Sequence, residues 1–541
     1  MYDLLFRGAL LIDGEGGEPF AGDLAVSGDV IASLGARLAG QARRAVDARG
    51  LALCPGFVDI HGHSDYYLLI NPTAEAKVRQ GVTTDVGGNC GYSAAPIAGP
   101  EQAERVQAYR EQYDLDLPFS TLDGHLRRLE EAGISVNYAP LVGHNTVRGS
   151  VMGGSARPAT AGELARMEAM VAQGMTEGAF GLSTGLIYAP ACFASREELT
   201  ALCRVAGGRG GLLATHMRSE GEGLLEAIEE VIGAARDAGL PLQISHLKTA
   251  GEKNWGKLDG AFSLIEGARG RGQDVTCDRY PYTASNTHLS ALMPDWANDG
   301  SLEERLARLR SPEDRARIRR DILASHPEPE YWERILISRA FAAENSGCEG
   351  LTFSELGKKR GLPPAEAMLD LLAGDRLQTE ILIFMMSGEN MRRILQKPYV
   401  MVGSDAGALT HKPPLGAGRP HPRNFGTFPA VLGNLARDEG LLPLAEAIRK
   451  MTSAPARRLG IPDRGILRAG LKADLVLFDP ARVRDSTTYE KPMAYPEGIE
   501  MVLVNGVPVV EGGAHTGARP GRGLRRSALS QADGPNGGPA R

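Results

Sequence analysis

Eight times along the middle of this chain, a short apolar run ends in glycines or polar side chains and gives way to a helical pattern. The runs are "LCPGFVDIHGH", "GVTTDVGGNC", "VNYAPLVGHN", "GAFGLSTGLIY", "GLLATHM", "PLQISHLK", "DVTCDRYPY" and "YVMVGSD". Stretches such as "ASREELTALCRVAGGR" and "GEGLLEAIEEVIGAARDAG" supply helices between them. Eight strand-helix units predict an α/β fold of the (β/α)8 barrel type, with its chemistry at the C-terminal strand ends. The barrel is expected over residues 55–460. A charged helical stretch around 297–350 lengthens the gap before the eighth strand. It reads as an insertion over the barrel mouth and a candidate lid.

The two ends of the chain read differently. Residues 1–54 and 461–515 carry short apolar or alternating runs broken by turn residues, the pattern of an all-β module. They are expected to pair with each other into one small β-sandwich. The Gly/Pro/Arg-rich segment 516–541 has the composition of a disordered tail.

With 541 residues, of which 43% are hydrophobic and 23% charged, the chain is long enough for one large domain and a smaller one. The net charge of -6 comes with no basic stripe, which excludes a nucleic-acid partner. No run of about 18 apolar residues predicts a membrane span. The first twenty residues lack the pattern of a signal peptide. The six cysteines (Cys54, Cys90, Cys192, Cys203, Cys277, Cys348) are scattered with no CxxC pair. That pattern fits a reducing, cytoplasmic setting rather than a disulfide framework. A small-molecule substrate is the partner class left. The sequence carries no mark of oligomeric state.

Metal-binding side chains collect at the predicted strand ends. His61 and His63 stand two apart in "DIHGHSD", so in an extended chain both imidazoles face the same way. Cys90 ends the second run, His216 the fifth, His246 the sixth and Asp405 the eighth. Any one of these could be a packing residue, and a lone cysteine is usually a buried hydrophobe. Six ligand-type residues at five strand ends point to a metal site. Cys90 could serve as filler, as nucleophile or as ligand; the nucleophile role needs a free histidine base, and the histidines look committed to metal. The fourth run, "GAFGLSTGLIY", holds no lysine, and none occurs between Lys77 and Lys248.

"GFVDIHGH", the histidines of the fifth and sixth runs and "GSD" of the eighth resemble the amidohydrolase superfamily. So does the closing stretch "TSAPARRLGIPDRGILRAGLKADLVLFD". More closely, "GGNCGYSAAP", "LVGHNTVRGSVMG", "GAFGLSTGLIYAP", "THMRSEG", "ISHLK", "YPYTAS" and "HPRNFGTFPAVLG" resemble, in order, the N-acyl-D-amino-acid deacylase (D-aminoacylase) family. The resemblance covers residues 1–515. It implies a zinc-dependent hydrolase acting on the linear amide of N-acyl-D-amino acids. It also implies that a cysteine replaces the carbamylated strand-four lysine by which many amidohydrolases bridge two metals. Zn2+ accepts sulfur and imidazole together. Carried over, the tight zinc site is Cys90, His216 and His246. A second, weaker site is His61, His63 and Asp405, with Cys90 able to bridge. Asp405 is then the catalytic general base and acid.

For the α-carboxylate of the substrate, the resemblance implies Lys248 and Tyr280. Tyr282 and Tyr188 are further candidates to line the pocket. His144 and Arg148 are read as supports or loop anchors, and His421 and Arg423 as shaping the mouth. His125, His326 and His515 are read as ordinary surface residues. The stretch 283–296 holds no arginine, which favours a neutral side chain on the substrate unless a lid arginine from 303–320 reaches in. The competing assignments are a cyclic-amide hydrolase (hydantoinase or dihydroorotase-like), disfavoured by the missing lysine, and a non-enzymatic binding protein.

Overall fold

A computed structural model of the chain describes residues 1–526. All eight expected runs become barrel strands: Phe57–Asp59, Val82–Gly87, Asn137–Pro140 continued by Val142–Gly143, Gly181–Gly185, Leu212–His216, Leu242–Ile244, Val275–Arg279 and Val400–Val402. Each pairs in parallel with the next. A bridge between Gly62 and Ala406 closes the ring from the eighth strand to the first. Inward-facing Val58, Val86, Ala139, Phe180, Leu212 and Met401 meet in one cluster, so the barrel is filled rather than hollow. Several helix starts are written locally: Thr160 with Glu163, Ser301 with Glu304 and Thr352 with Glu355 are reciprocal capping boxes.

The chain ends meet in a single nine-stranded sheet. The joint is Ala52–Pro55 running antiparallel to Leu475–Phe478. Period-two alternation decides the faces. Leu475 and Leu477 point into the module's own core with Phe6, Leu24 and Leu503, while Val476 and Phe478 pack against the barrel. The far strand Val30–Gly35 curls back, and Val30 bridges Lys472. The expected small β-sandwich is thus built from one continuous sheet folded over its core. Asp474 ties it to the barrel: it pairs with Arg464, and its carboxylate accepts from Asn137 Nδ2 of the third strand at 3.1 Å.

Two expectations are corrected. The insertion is larger than 297–350 and is not purely helical. It runs from Ala284 to Phe384 and carries three antiparallel strands, Ala284–His288, Ile335–Arg339 and Glu380–Phe384, beside four helices. Its own core joins Leu289, Leu306, Ile318, Ile335, Phe353, Met368 and Ile381. Residues 516–526, expected to be disordered, instead dock on the barrel. Tyr138 N donates to Arg522 O and Leu524 N to Tyr138 O, at 2.9 and 2.7 Å. Gly521 is needed there, since a Cβ would meet Val136 O at 2.3 Å. Residues 527–541 of the expected tail lie outside the described residues. No helix among the described residues is long and apolar enough to cross a membrane.

Beneath the barrel mouth, the ammonium of Lys77 is fully buried between Asp59 (2.7 Å) and Asp85 (3.1 Å). It also donates to Ser404 Oγ at 3.0 Å. Removing one member of a buried charge cluster strands the others at a cost of about 3–5 kcal/mol. Lys77→Met is expected to lower unfolding stability by that order in a denaturant titration. Arg44→Ala, which breaks an exposed pair with Glu511, is expected to cost under about 1 kcal/mol.

Candidate metal centre

Each candidate ligand leaves the end of a barrel strand, and the local backbone aims it inward. Cys90, His246 and Asp405 have φ of 50°, 34° and 53°. Left-handed backbone is uncommon outside glycine and costs about 1–3 kcal/mol per residue. Three such residues at one site mark a centre that the fold holds in place. The glycines beside Cys90 share the burden. Gly91 has φ 81°, and a Cβ on it would run into Asn145 Oδ1 at 1.8 Å.

The side chains converge. Cys90 Sγ lies 3.3 Å from His61 Nε2, 3.8 Å from His216 Nδ1 and 3.6 Å from His246 Nε2. His63 Nε2 is 2.9 Å from Asp405 Oδ1, and His61 Nε2 is 3.4 Å from the same oxygen. Two groups of donor atoms result: His61, His63, Cys90 and Asp405, and Cys90, His216 and His246. Cys90 belongs to both. Tetrahedral Zn–S and Zn–N bonds of about 2.3 and 2.0 Å put ligand atoms roughly 3.5 Å apart, so the spacing around Cys90 is that of a ligand shell. The donor set fits the metal.

The structure also explains the missing lysine. Gly185 ends the fourth strand directly beside His216. A Cβ at this position would meet Cys90 O at 2.2 Å. The cysteine loop occupies the space into which a strand-four side chain would project.

Electrostatics suit the arrangement. Burial alone would raise the Cys90 thiol, but the imidazoles of His61, His216 and His246 hold it well below its usual range. Burial likewise opposes ionisation of Asp405, yet Arg423, His61 and His246 keep its carboxyl well below the usual carboxylate range. Both groups are thus biased toward their anions, and Asp405 is a carboxylate at neutral pH.

Two supporting residues, Asp278 and Glu220, were not foreseen, and a third, Arg423, was expected only to shape the mouth. Asp278 lies 3.1 Å from His61 Nδ1 and accepts from His246 N at 2.8 Å. Glu220 lies 2.8 Å from His246 Nδ1 and pairs with Lys248. Arg423 forms an ion pair with Asp405 at 2.7 Å. Carboxylates behind metal-binding imidazoles fix ring orientation and tautomer. "THMRSEG" and "DVTCDRYPY" contain both acids, four residues past His216 and on the seventh strand, and that proximity was the available signal.

The remaining candidates separate. Lys248, Tyr280 and Tyr188 line a cavity of about 810 Å³ over the centre. The Tyr280 hydroxyl is buried and finds no hydrogen-bond partner among the described residues. Burial raises its phenol, but Lys248, Arg279 and Arg423 bring it below the ordinary tyrosine range, which marks a strongly positive pocket. The ring of Tyr188 packs edge-on against His216, 4.9 Å between centroids. Tyr282 is corrected: it does not line the cavity, and its hydroxyl donates to Asp485 at 2.7 Å. His144 and Arg148 both pair with Glu198 and stay out of the donor set. His421 is buried, with Nε2 2.9 Å from Ala284 O. His125 is no surface residue but fully buried, with Nε2 3.0 Å from Asp65 O.

With this geometry in place, the chain was compared with known proteins. A model described as the amidohydrolase family matches residues 44–510. A D-aminoacylase of Alcaligenes xylosoxydans xylosoxydans is 38% identical over 529 residues, 97% of this chain and 98% of that protein. An N-acyl-D-glutamate deacylase of the same organism is 37% identical over 526 residues, 97% of each. The crystal structure of N-acyl-D-glutamate deacylase from Bordetella bronchiseptica holds zinc and a phosphonate mimic of the tetrahedral intermediate. It superposes with a TM-score of 0.81 at 33% identity, covering 97% of this chain and 99% of that one. By these matches along nearly its whole length, the chain belongs to the N-acyl-D-amino-acid deacylase (D-aminoacylase) family of the amidohydrolase superfamily.

Proposed function

We propose that this enzyme hydrolyses the linear amide of N-acyl-D-amino acids bearing neutral side chains, releasing a carboxylate and a free D-amino acid, with Zn2+ as its metal. The observation that carries the reading is Cys90 meeting three buried imidazoles beside an ionised Asp405. Cys90, His216 and His246 would form the tight site, and His61, His63 and Asp405 a second, weaker one that shares Cys90. A bound Zn2+ supplies Lewis acidity toward the scissile carbonyl and lowers the pKa of water.

The chain's own groups do the rest. Asp405, ionised and fixed by Arg423 and His63, takes the proton of the attacking water. It then hands that proton to the departing amine nitrogen. Lys248 and Tyr280 bind the α-carboxylate, and Arg423, 4.8 Å above the Tyr280 ring, extends the same positive wall. Leu292, Ile383 and Met385 line the cavity, which suits an uncharged side chain. No arginine of 303–320 reaches it; of the insertion's arginines Arg339 lines it, with Nη1 donating to Tyr113 Oη at 3.4 Å. A cytoplasmic setting agrees with six free cysteines.

Asp405→Asn is expected to lower kcat about 10²- to 10⁴-fold while zinc stays bound at the Cys90 site; near-full turnover would refute the acid-base role. Lys248→Met is expected to lower kcat/KM about 10- to 100-fold through loss of a charge-assisted hydrogen bond. Tyr282→Phe should leave KM unchanged and instead lower the melting temperature, because Asp485 loses its partner. Hydantoins assayed beside N-acetyl-D- and N-acetyl-L-amino acids test the reaction class; turnover confined to hydantoins or to L substrates would contradict the proposal.

A further inference from the structure

The helix Gly99–Tyr113, which follows the second barrel strand, buries none of its residues. Yet Arg105, Ala108, Tyr109, Gln112 and Tyr113 all line the cavity over the metal centre. Their spacing of i, i+3, i+4, i+7 and i+8 is one face of a helix. The helix therefore turns an aromatic stripe toward the cavity, where other helices turn theirs toward protein.

That stripe is part of a larger wall. Ring centroids run from Tyr66 to Tyr109 (4.4 Å), from Tyr109 to Tyr113 (5.4 Å) and from Tyr113 to Tyr67 (6.5 Å). Tyr92 stands 6.0 Å from Tyr188 on the adjoining side. On its flanks the hydroxyls are spent on protein. Tyr66 donates to Ala94 O and Tyr92 to Ala189 O, and Tyr188 bonds with Thr287 Oγ1. Among the rings between them, Tyr113 Oη accepts from Arg339 Nη1 at 3.4 Å, and the ring faces of Tyr67, Tyr109 and Tyr113 line the cavity.

The position of the wall names the occupant. The carboxylate-binding groups Lys248, Tyr280 and Arg423 come from the sixth strand onward. The tyrosine wall comes from loops after the first, second and fourth strands. A trans amide sends its acyl carbon and its amine carbon in opposite directions. With the amino-acid half on Lys248 and Tyr280, the acyl half points at the tyrosines. A cavity of about 810 Å³ is near the upper end of the roughly 300–1,000 Å³ that holds drug-sized ligands, so an acetyl group leaves much of it unfilled.

Resting on the deacylase reading above, we propose that Tyr67, Tyr109 and Tyr113 form an acyl subsite for bulky aromatic acyl groups, and that arylacetyl amides are preferred over acetyl amides. Offset and edge-on ring contacts favour an aromatic occupant over an aliphatic one of equal size.

The test compares kcat/KM for N-phenylacetyl-D-leucine and N-acetyl-D-leucine on the zinc-loaded full chain. The wild-type ratio is expected to favour phenylacetyl by about tenfold or more, the scale of discrimination in an apolar pocket. Tyr109→Ala and Tyr113→Ala are expected to pull the ratio toward one. Tyr109→Phe is expected to keep it, because the ring and not the hydroxyl makes the wall; circular dichroism verifies that each variant is folded. A wild-type enzyme that prefers the acetyl substrate, or folded alanine variants with an unchanged ratio, would overturn the subsite and leave the deacylase reading intact. Hydrolysis of neither substrate would overturn both.

Discussion

The centre depends on one buried contact set, the Cys90 sulfur against the imidazoles of His61, His216 and His246. A thiol without charged neighbours, buried as Cys90 is, would stay protonated and inert. Here three imidazoles bring the thiol below its usual range, and four strand ends converge on the sulfur. Much else in the barrel mouth follows. Gly185 must be glycine because the Cys90 loop fills the space above it. Cys90, His246 and Asp405 must accept left-handed backbone. Strain of this kind persists only where surrounding structure over-determines it, and the surroundings here do so with hydrogen bonds. Asp405 N donates to His61 O at 2.7 Å, and His246 N to Asp278.

A second layer of charge supports the first. Asp278, Glu220 and Arg423 hold His61, His246 and Asp405 in place, and Lys77 compensates Asp59 and Asp85 below them. Glu220, Arg423, Lys77, Asp59 and Asp85 each have an opposite charge within ion-pair distance, and Asp278 accepts from Gln243 and from the His246 amide, as a low-dielectric interior demands. The cavity carries Lys248 and Arg423 on the side of the sixth to eighth strands, and tyrosine rings on the side of the first, second and fourth, where Arg105 lies over Tyr66 and Arg339 over Tyr113. A substrate with a carboxylate at one end and a hydrophobic acyl group at the other matches that division.

The barrel was legible because strand, turn and ligand coincide in the sequence. "GVTTDVGGNC" and "YVMVGSD" each end an apolar run on a ligand-type residue, so finding the strands also finds the site. Contacts that join distant segments were not legible. Tyr282 reads as a pocket candidate because it closes the seventh run, but the strand stops at Arg279. Alternation does not carry past that point, and Tyr282 turns instead to Asp485, 203 residues on. The insertion strands Ala284–His288 and Glu380–Phe384 pair across about a hundred residues of chain, and the first is polar enough to read as loop. Residues 516–526 dock through backbone hydrogen bonds that need no apolar side chains, so their composition mimics disorder.

X-ray absorption at the zinc edge of the purified, zinc-loaded enzyme tests the central claim most directly. With Cys90 as ligand, the spectrum is expected to contain a sulfur scatterer at about 2.3 Å beside nitrogen and oxygen at about 2.0–2.1 Å, and the sulfur shell should vanish in Cys90→Ala. A first shell of nitrogen and oxygen alone in the wild-type enzyme would contradict the account.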